Sequence, residues 1–138
     1  MQKAKSADKL KLLLFVIFLI IFDQVLKFIV RFLGFDYTFN RGISFGFLNR
    51  HTNNLVLPVF IIVIIFILTA SFLKYRNGVK LRFFLSLVLA GGISNLIDRL
   101  IHGGVVDFIS IFFFPVFNPA DVYITLGMIL FIIYYDKK

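Results

Sequence analysis

Cysteine, tryptophan and glutamate are all absent from the 138 residues, and only three prolines occur. Without cysteine there is neither a disulfide framework nor a thiolate metal site. Without tryptophan, any aromatic belt at a membrane surface has to be built from Phe and Tyr. The seven acidic residues are all aspartates, against 15 Lys and Arg, which leaves a net charge of +8. Hydrocarbon is what the chain has in abundance. It is 60% hydrophobic with 20 Phe, and its mean hydropathy is +0.97. Soluble domains are about 45–50% apolar, so the composition points to lipid as the natural solvent.

Four apolar runs organise the chain. Residues 10–30 are nearly unbroken hydrocarbon until Asp23, Gln24 and Lys27, and residues 55–73 carry no charge. Residues 81–101 end in Asn95, Asp98 and Arg99, and residues 119–135 form a shorter run that opens with Asp121. About 20 helical residues cross a hydrocarbon core of roughly 30 Å. The expected fold is therefore a membrane all-α protein: a four-transmembrane-helix bundle forming one domain over residues 1–138. The first run is too long for a cleavable signal peptide and lacks a small-residue cleavage site, so it reads as a retained helix.

The positive charges set the orientation. Lys3, Lys5, Lys9 and Lys11 precede the first run; Lys74, Arg76, Lys80 and Arg82 surround the turn between the second and third; Lys137 and Lys138 follow the fourth. With four spans all ten lie on one side, which the positive-inside rule makes cytoplasmic, as are both termini. The basic excess is thus a topology signal, and nucleic-acid binding is set aside.

Polar groups collect at the outer ends of the runs. Asp23 and Lys27 share a helix face, as do Asn95, Asp98 and Arg99. Each has a structural reading beside a functional one. Asp23 with Lys27 can be an interfacial ion pair, Arg99 can snorkel to headgroups, and Asn95 can bond neighbouring helices. Asp107 and Asp121 are different, because neither has a basic residue within four positions. Two carboxylates brought together at low dielectric do not both ionise cheaply; they share a proton and titrate as a unit. That arrangement suits general acid–base hydrolysis, though perturbed carboxylates also occur in transport and structural sites. A metal site is not supported, since Asp98, His102 and His51 lack any metal-ligand spacing. Nor is a serine nucleophile: Ser94 and Ser110 sit in no G-x-S-x-G turn.

The motifs in series resemble those of bacterial lipoprotein signal peptidases (signal peptidase II), a family of intramembrane aspartic proteases. "DQVLK" at 23–27 is similar to the family's D-Q-x-x-K, and "NRGISF" at 40–45 to its N-x-G-x-[AS]-F. "NLIDR" at 95–99, "GGVVDF" at 103–108 and "FNPAD" at 117–121 complete the series in order. The resemblance implies that Asp107 and Asp121 are the catalytic dyad. It implies supporting roles for Asn40, Gly42, Asn95, Asp98, Arg99 and Asn118, with Asp23 and Lys27 bracing the site from the first helix. It also implies a small extracytoplasmic β-sheet, drawing on residues 35–48. The implied substrate is a prolipoprotein carrying a diacylglyceryl-cysteine, cut just before that cysteine. The implied setting is the bacterial cell (inner) membrane, with membrane lipids as partners, the site at the outer face, no cofactor, and a single chain as the working unit. Ser94 departs from the family, which often has glycine there, and the expectation is altered packing without effect on the dyad. The rival reading is a four-span proton-coupled carrier; it requires polar groups at mid-membrane on several helices, whereas here they gather at one end.

Overall fold

The computed structural model describes residues 2–41, 64 and 79–135, with side chains described over 8–41, 64 and 79–134. The expected second span at 55–73, Gly42, His51 and the basic residues Lys74 and Arg76 lie outside the described residues. Three helices and two short strands make up what is described: α1 (Gln2–Leu33), β1 (Thr38–Asn40), α2 (Val79–His102), β2 (Val105–Asp107) and α3 (Pro119–Tyr135). The chain is thus mostly helical. Two of its helices, Asp8–Leu33 within α1 and Val79–His102, are long and apolar enough to cross a membrane. α1 begins and ends beyond the expected 10–30, because neither glycine nor proline interrupts it before Gly34.

Each boundary near the site has a local cause. Gly34 takes φ +71°, and Phe35 N donates to Val30 O at 3.1 Å, a left-handed glycine stop with its six-residue closing bond. Gly103, at φ +75°, ends α2 with the simpler left-handed cap, its own N–H donating to Arg99 O four residues back at 3.0 Å. α3 begins at Asn118-Pro119, an N-cap followed by a proline at the first helical position, where the missing N–H costs nothing. β1 and β2 then pair antiparallel, with Thr38 opposite Asp107, Phe39 opposite Val106 and Asn40 opposite Val105. The pair ties the chain leaving α1 to the chain leaving α2. Val105 and Val106, of β2 itself, are both buried.

The segment between the two aspartates closes on itself. Ile109 bridges Phe117, and Phe108 and Ile109 both donate to Phe117 O, at 3.1 and 2.8 Å. Its ends are therefore held together, and Asp107 and Asn118 leave the same short ladder. α1 turns Leu14, Phe18, Phe22, Val25 and Phe28 outward, an apolar surface that suits lipid rather than water.

Two glycines let α2 and α3 approach. A Cβ on Gly91 would collide with the backbone oxygen of Ala120 and press on Ile124, and one on Gly127 would meet Phe84 O at 2.7 Å. Backbone does not yield as a flexible side chain does, so Gly91→Ala pushes away the first turn of α3, which carries Asp121. Overpacking of this kind costs about 1–3 kcal/mol. We expect Gly91→Ala to melt earlier in detergent and to lose most of the activity proposed below. A wild-type melting curve would mean that the first turn of α3 can move freely.

Candidate active site

The site starts with the N-terminus of α3. Asn118 is the N-cap and Asp121 is the third helical residue, and they cap each other. Asp121 N donates to Asn118 Oδ1 at 3.0 Å, and Asn118 N donates to Asp121 Oδ2 at 3.2 Å. This reciprocal pair satisfies two backbone donors that the helix itself cannot. Asp121 is thereby fixed in direction by the helix it opens. The Asn118 side chain, fully buried, reaches the other aspartate: its Nδ2 donates to Asp107 Oδ1 at 2.6 Å. One residue thus touches both carboxylates, across the closed 109–117 segment.

Amides from two other elements complete the ring. Asn40 of β1 donates to Asp107 Oδ2 at 3.0 Å, and Asn95 of α2 donates to Asp121 Oδ1 at 2.8 Å. All four carboxylate oxygens therefore receive an N–H. The amide orientations follow from partners on the far side. Asn95 Oδ1 accepts from Lys27 Nζ at 2.9 Å and from Asn118 Nδ2 at 3.2 Å, so its NH₂ has to face Asp121. Asn118 Oδ1 is held by Asp121 N–H, so its NH₂ has to face Asp107.

Beneath this ring lies a buried charge cluster. Lys27 is 2% exposed, and its ammonium meets Asp23 Oδ2 at 2.7 Å and Asp98 Oδ2 at 2.8 Å. With Asn95 this uses its three donors. Asp23 and Asp98 are 0% and 1% exposed, and charges so deep persist only when paired and hydrogen-bonded. Their remaining lone pairs are engaged: Ala120 N donates to Asp23 Oδ1 at 3.0 Å, Gln24 Nε2 to Asp98 Oδ1 at 2.9 Å, and Val106 N to Asp98 Oδ2 at 3.5 Å. One carboxylate on α1 thus holds the first turn of α3, and one on α2 holds β2. Arg99 Nη1 donates to Asn95 O, one turn back, at 3.4 Å. Its guanidinium lies within electrostatic reach of Asp121, Asp107 and Asp98.

Burial pushes the Asp107 carboxyl above the ordinary aspartate range; the Asn40 and Asn118 amides and Lys27 pull it back, while the charge of Asp121 adds to the rise. Among the described residues no group of three or more His, Asp or Glu is disposed to hold a metal ion. His102 does not join Asp98; its Nε2 lies 2.9 Å from Arg31 Nη1.

Of the residues singled out in the sequence, Asp23, Lys27, Asn40, Asn95, Asp98, Arg99, Asp107, Asn118 and Asp121 come together here. The structural readings of Asp23 with Lys27 and of Asn95 are met by the geometry: the two charges pair within α1, and Asn95 bonds side chains of α1 and α3. The absence of local cations around Asp107 and Asp121 is only sequential, because Lys27 and Arg99 arrive from α1 and α2. Two further residues take part, Gln24 and Ser94, which the sequence reading named but gave no role in the site. Gln24 donates through Nε2 to Ser94 O, Ser94 Oγ and Asp98 Oδ1 at 3.1, 3.0 and 2.9 Å. Ser94 Oγ donates to Asp23 Oδ2 at 2.7 Å. The available signal was position: Gln24 adjoins Asp23, and Ser94 adjoins Asn95.

Known proteins resemble this chain in sequence and fold. The family model described as Signal peptidase (SPase) II matches residues 15–136. A lipoprotein signal peptidase of Borreliella burgdorferi (strain ZS7) is 37% identical, covering 96% of this chain and 94% of its own. One from Clostridium tetani is also 37% identical, over 78% of this chain and 71% of its own. A bacterial membrane enzyme solved by the in meso method at 2.3 Å superposes with a TM-score of 0.74 at 29% identity, over 92% of this chain and 88% of that one. On this agreement of sequence and fold, the chain belongs to the signal peptidase II family of membrane proteases.

Proposed function

We propose that this protein is an intramembrane aspartic endopeptidase that removes the signal peptide from diacylglyceryl-modified prolipoproteins, cutting before the lipidated cysteine. The observation that carries this reading is Asn118, whose backbone and side chain hold Asp121 and Asp107 at once. In the mechanism the two carboxylates share one proton. The ionised member takes a proton from water as the water attacks the scissile carbonyl. The protonated member gives its proton to the carbonyl oxygen, and the tetrahedral intermediate collapses with a proton passing to the leaving amine. The N–H donors on every carboxylate oxygen hold the pair oriented before substrate arrives, so little reorganisation accompanies the charge movement.

The architecture that goes with this reading is one domain of four membrane spans. Both termini are cytoplasmic, the dyad lies at the outer face of the cell membrane, and a single chain is the working unit. The partner is the lipid-modified prolipoprotein, presented from the surrounding lipid. The test is incubation of purified protein with the same prolipoprotein bearing or lacking the diacylglyceryl group. Mass spectrometry should find a new N-terminal lipid-modified cysteine in the first case only. Equal cleavage of both forms, or cleavage at another bond, would overturn the substrate assignment.

Topology is checked separately. The chain has no cysteine, so single cysteines at Asn53 and Asn77 give clean labelling. Asn77 should label from the cytoplasmic side and Asn53 from the other; labelling of both from one side contradicts four spans.

A further inference from the structure

We infer that Ser94 is a positioning residue for this reaction, acting on Asp121 through Asp23; the inference rests on the dyad reading above. The hydroxyl of Ser94, on α2 and fully buried, donates to Asp23 Oδ2 at 2.7 Å. The other oxygen of the same carboxylate accepts the N–H of Ala120 at 3.0 Å, and Ala120 is the residue before Asp121. Ala120 N is one of the orphan donors at the start of α3, where a carboxylate is favoured both by the hydrogen bond and by the helix dipole. Asp23 therefore sets where the first turn of α3 sits, and Ser94 with Lys27 sets how Asp23 is turned. Lys27 alone does not fix that rotation. It is a long side chain whose ammonium is divided among Asp23, Asp98 and Asn95, whereas the Ser94 hydroxyl reaches the carboxylate directly from the helix backbone.

Glycine or alanine here would leave Asp23 Oδ2 with Lys27 as its one described side-chain donor. Gln24 would not suffer equally. Its Nε2 has two hydrogens and three acceptors within reach, and loss of the Ser94 hydroxyl leaves Ser94 O and Asp98 Oδ1. Ser94→Ala is thus a narrow probe of the bond to Asp23.

The experiment measures kcat and KM on the diacylglyceryl-modified prolipoprotein for wild type, Ser94→Ala, Ser94→Gly and Ser94→Thr, each with a detergent melting curve. We expect Ser94→Ala and Ser94→Gly to lower kcat about tenfold with KM within twofold, because a misplaced Asp121 hinders the chemistry rather than capture of the substrate. Ser94→Thr keeps the hydroxyl and should recover most of the rate. In the Asp23→Asn background, Ser94→Ala should cost little more, since both changes break one path. An unchanged kcat in Ser94→Ala, or full additivity with Asp23→Asn, would overturn the inference. A fall in melting temperature with kcat preserved would do the same, leaving Ser94 a packing residue. Failure of the wild type to cleave, or cleavage by the dyad mutants, would instead strike the underlying reading.

Discussion

Asp107→Asn and Asp121→Asn should each reduce cleavage of a diacylglyceryl-modified prolipoprotein to background, while the protein still folds and inserts. Asparagine keeps the size of aspartate but cannot share or pass a proton. It also replaces one oxygen with an NH₂, which would face the amide of Asn40 or Asn118 at position 107 and of Asn95 or the N–H of Asn118 at position 121. One hydrogen bond is lost in each, so a modest fall in melting temperature should accompany the complete loss of rate. The double mutant should be no less active than either single one, because groups acting as a unit are not additive.

On the proposed mechanism the rate should follow a bell-shaped pH profile. At low pH both carboxyls are protonated and no base remains; at high pH both are ionised and no acid remains. Because burial first of all raises Asp107, the alkaline limb should lie above the ordinary aspartate range. Asn40 opposes that rise, so Asn40→Ala should move the alkaline limb to still higher pH. The stability linkage has a definite sign. A carboxyl whose folded pKa is raised favours the fold when protonated, so its contribution is complete below the unfolded pKa and is lost as pH rises through the folded one. Appreciable turnover by either single Asn mutant would rule out the shared proton and leave the buried carboxylates a structural or proton-carrying role.

Lys27→Met should be the most damaging change to stability. The side chain is nearly isosteric, but it removes the cation from between Asp23 and Asp98, both essentially inaccessible to solvent. Breaking a buried pair by deleting one partner costs about 3–5 kcal/mol, because a charge is left uncompensated; here two are left. We expect little folded protein and a much lower melting temperature. Adding Asp98→Asn to Lys27→Met should recover part of the loss, since one orphaned charge then disappears. A melting temperature close to wild type for Lys27→Met would show that the aspartates take up protons or find other partners at little cost.

Much of this was legible in the sequence, for reasons that vary by residue. Long apolar runs announce α1 and α2 because a lipid-facing helix has to be apolar over its whole length. Asn118-Pro119-x-Asp121 carries a helix start on its face, since cap, proline and acid fall at the three positions that a helix N-terminus favours. Asp23 and Lys27 are one turn apart, so their pairing was local. The bond between Gln24 and Ser94 was not legible: it spans 70 positions, and nothing short of helix packing brings a mid-helix serine against a glutamine. Nor was the double use of Asn95, whose two amide ends serve a lysine from α1 and an aspartate from α3. The strand after α1 was expected from the family resemblance, which the composition there fits, but its register with β2 was not, because three residues a side carry too little pattern to set it.

The placement of Lys27 one turn after Asp23 bears on how such a chain enters the bilayer. α1 is synthesised before α2 and α3. Its lysine then has no Asp98 or Asn95 to meet, but Asp23 is already on the same helix face. The two charges deepest in the helix can enter as a mutually neutralised pair, and Asp98 joins only when α2 docks. Competence therefore has to follow assembly. Asp121 is positioned by side chains from α1 and α2, and Asp107 by one from β1, so on the proposed mechanism a partly assembled chain has both carboxylates and no activity. Cleavage activity, read during synthesis, would mark the moment at which the last helix seats.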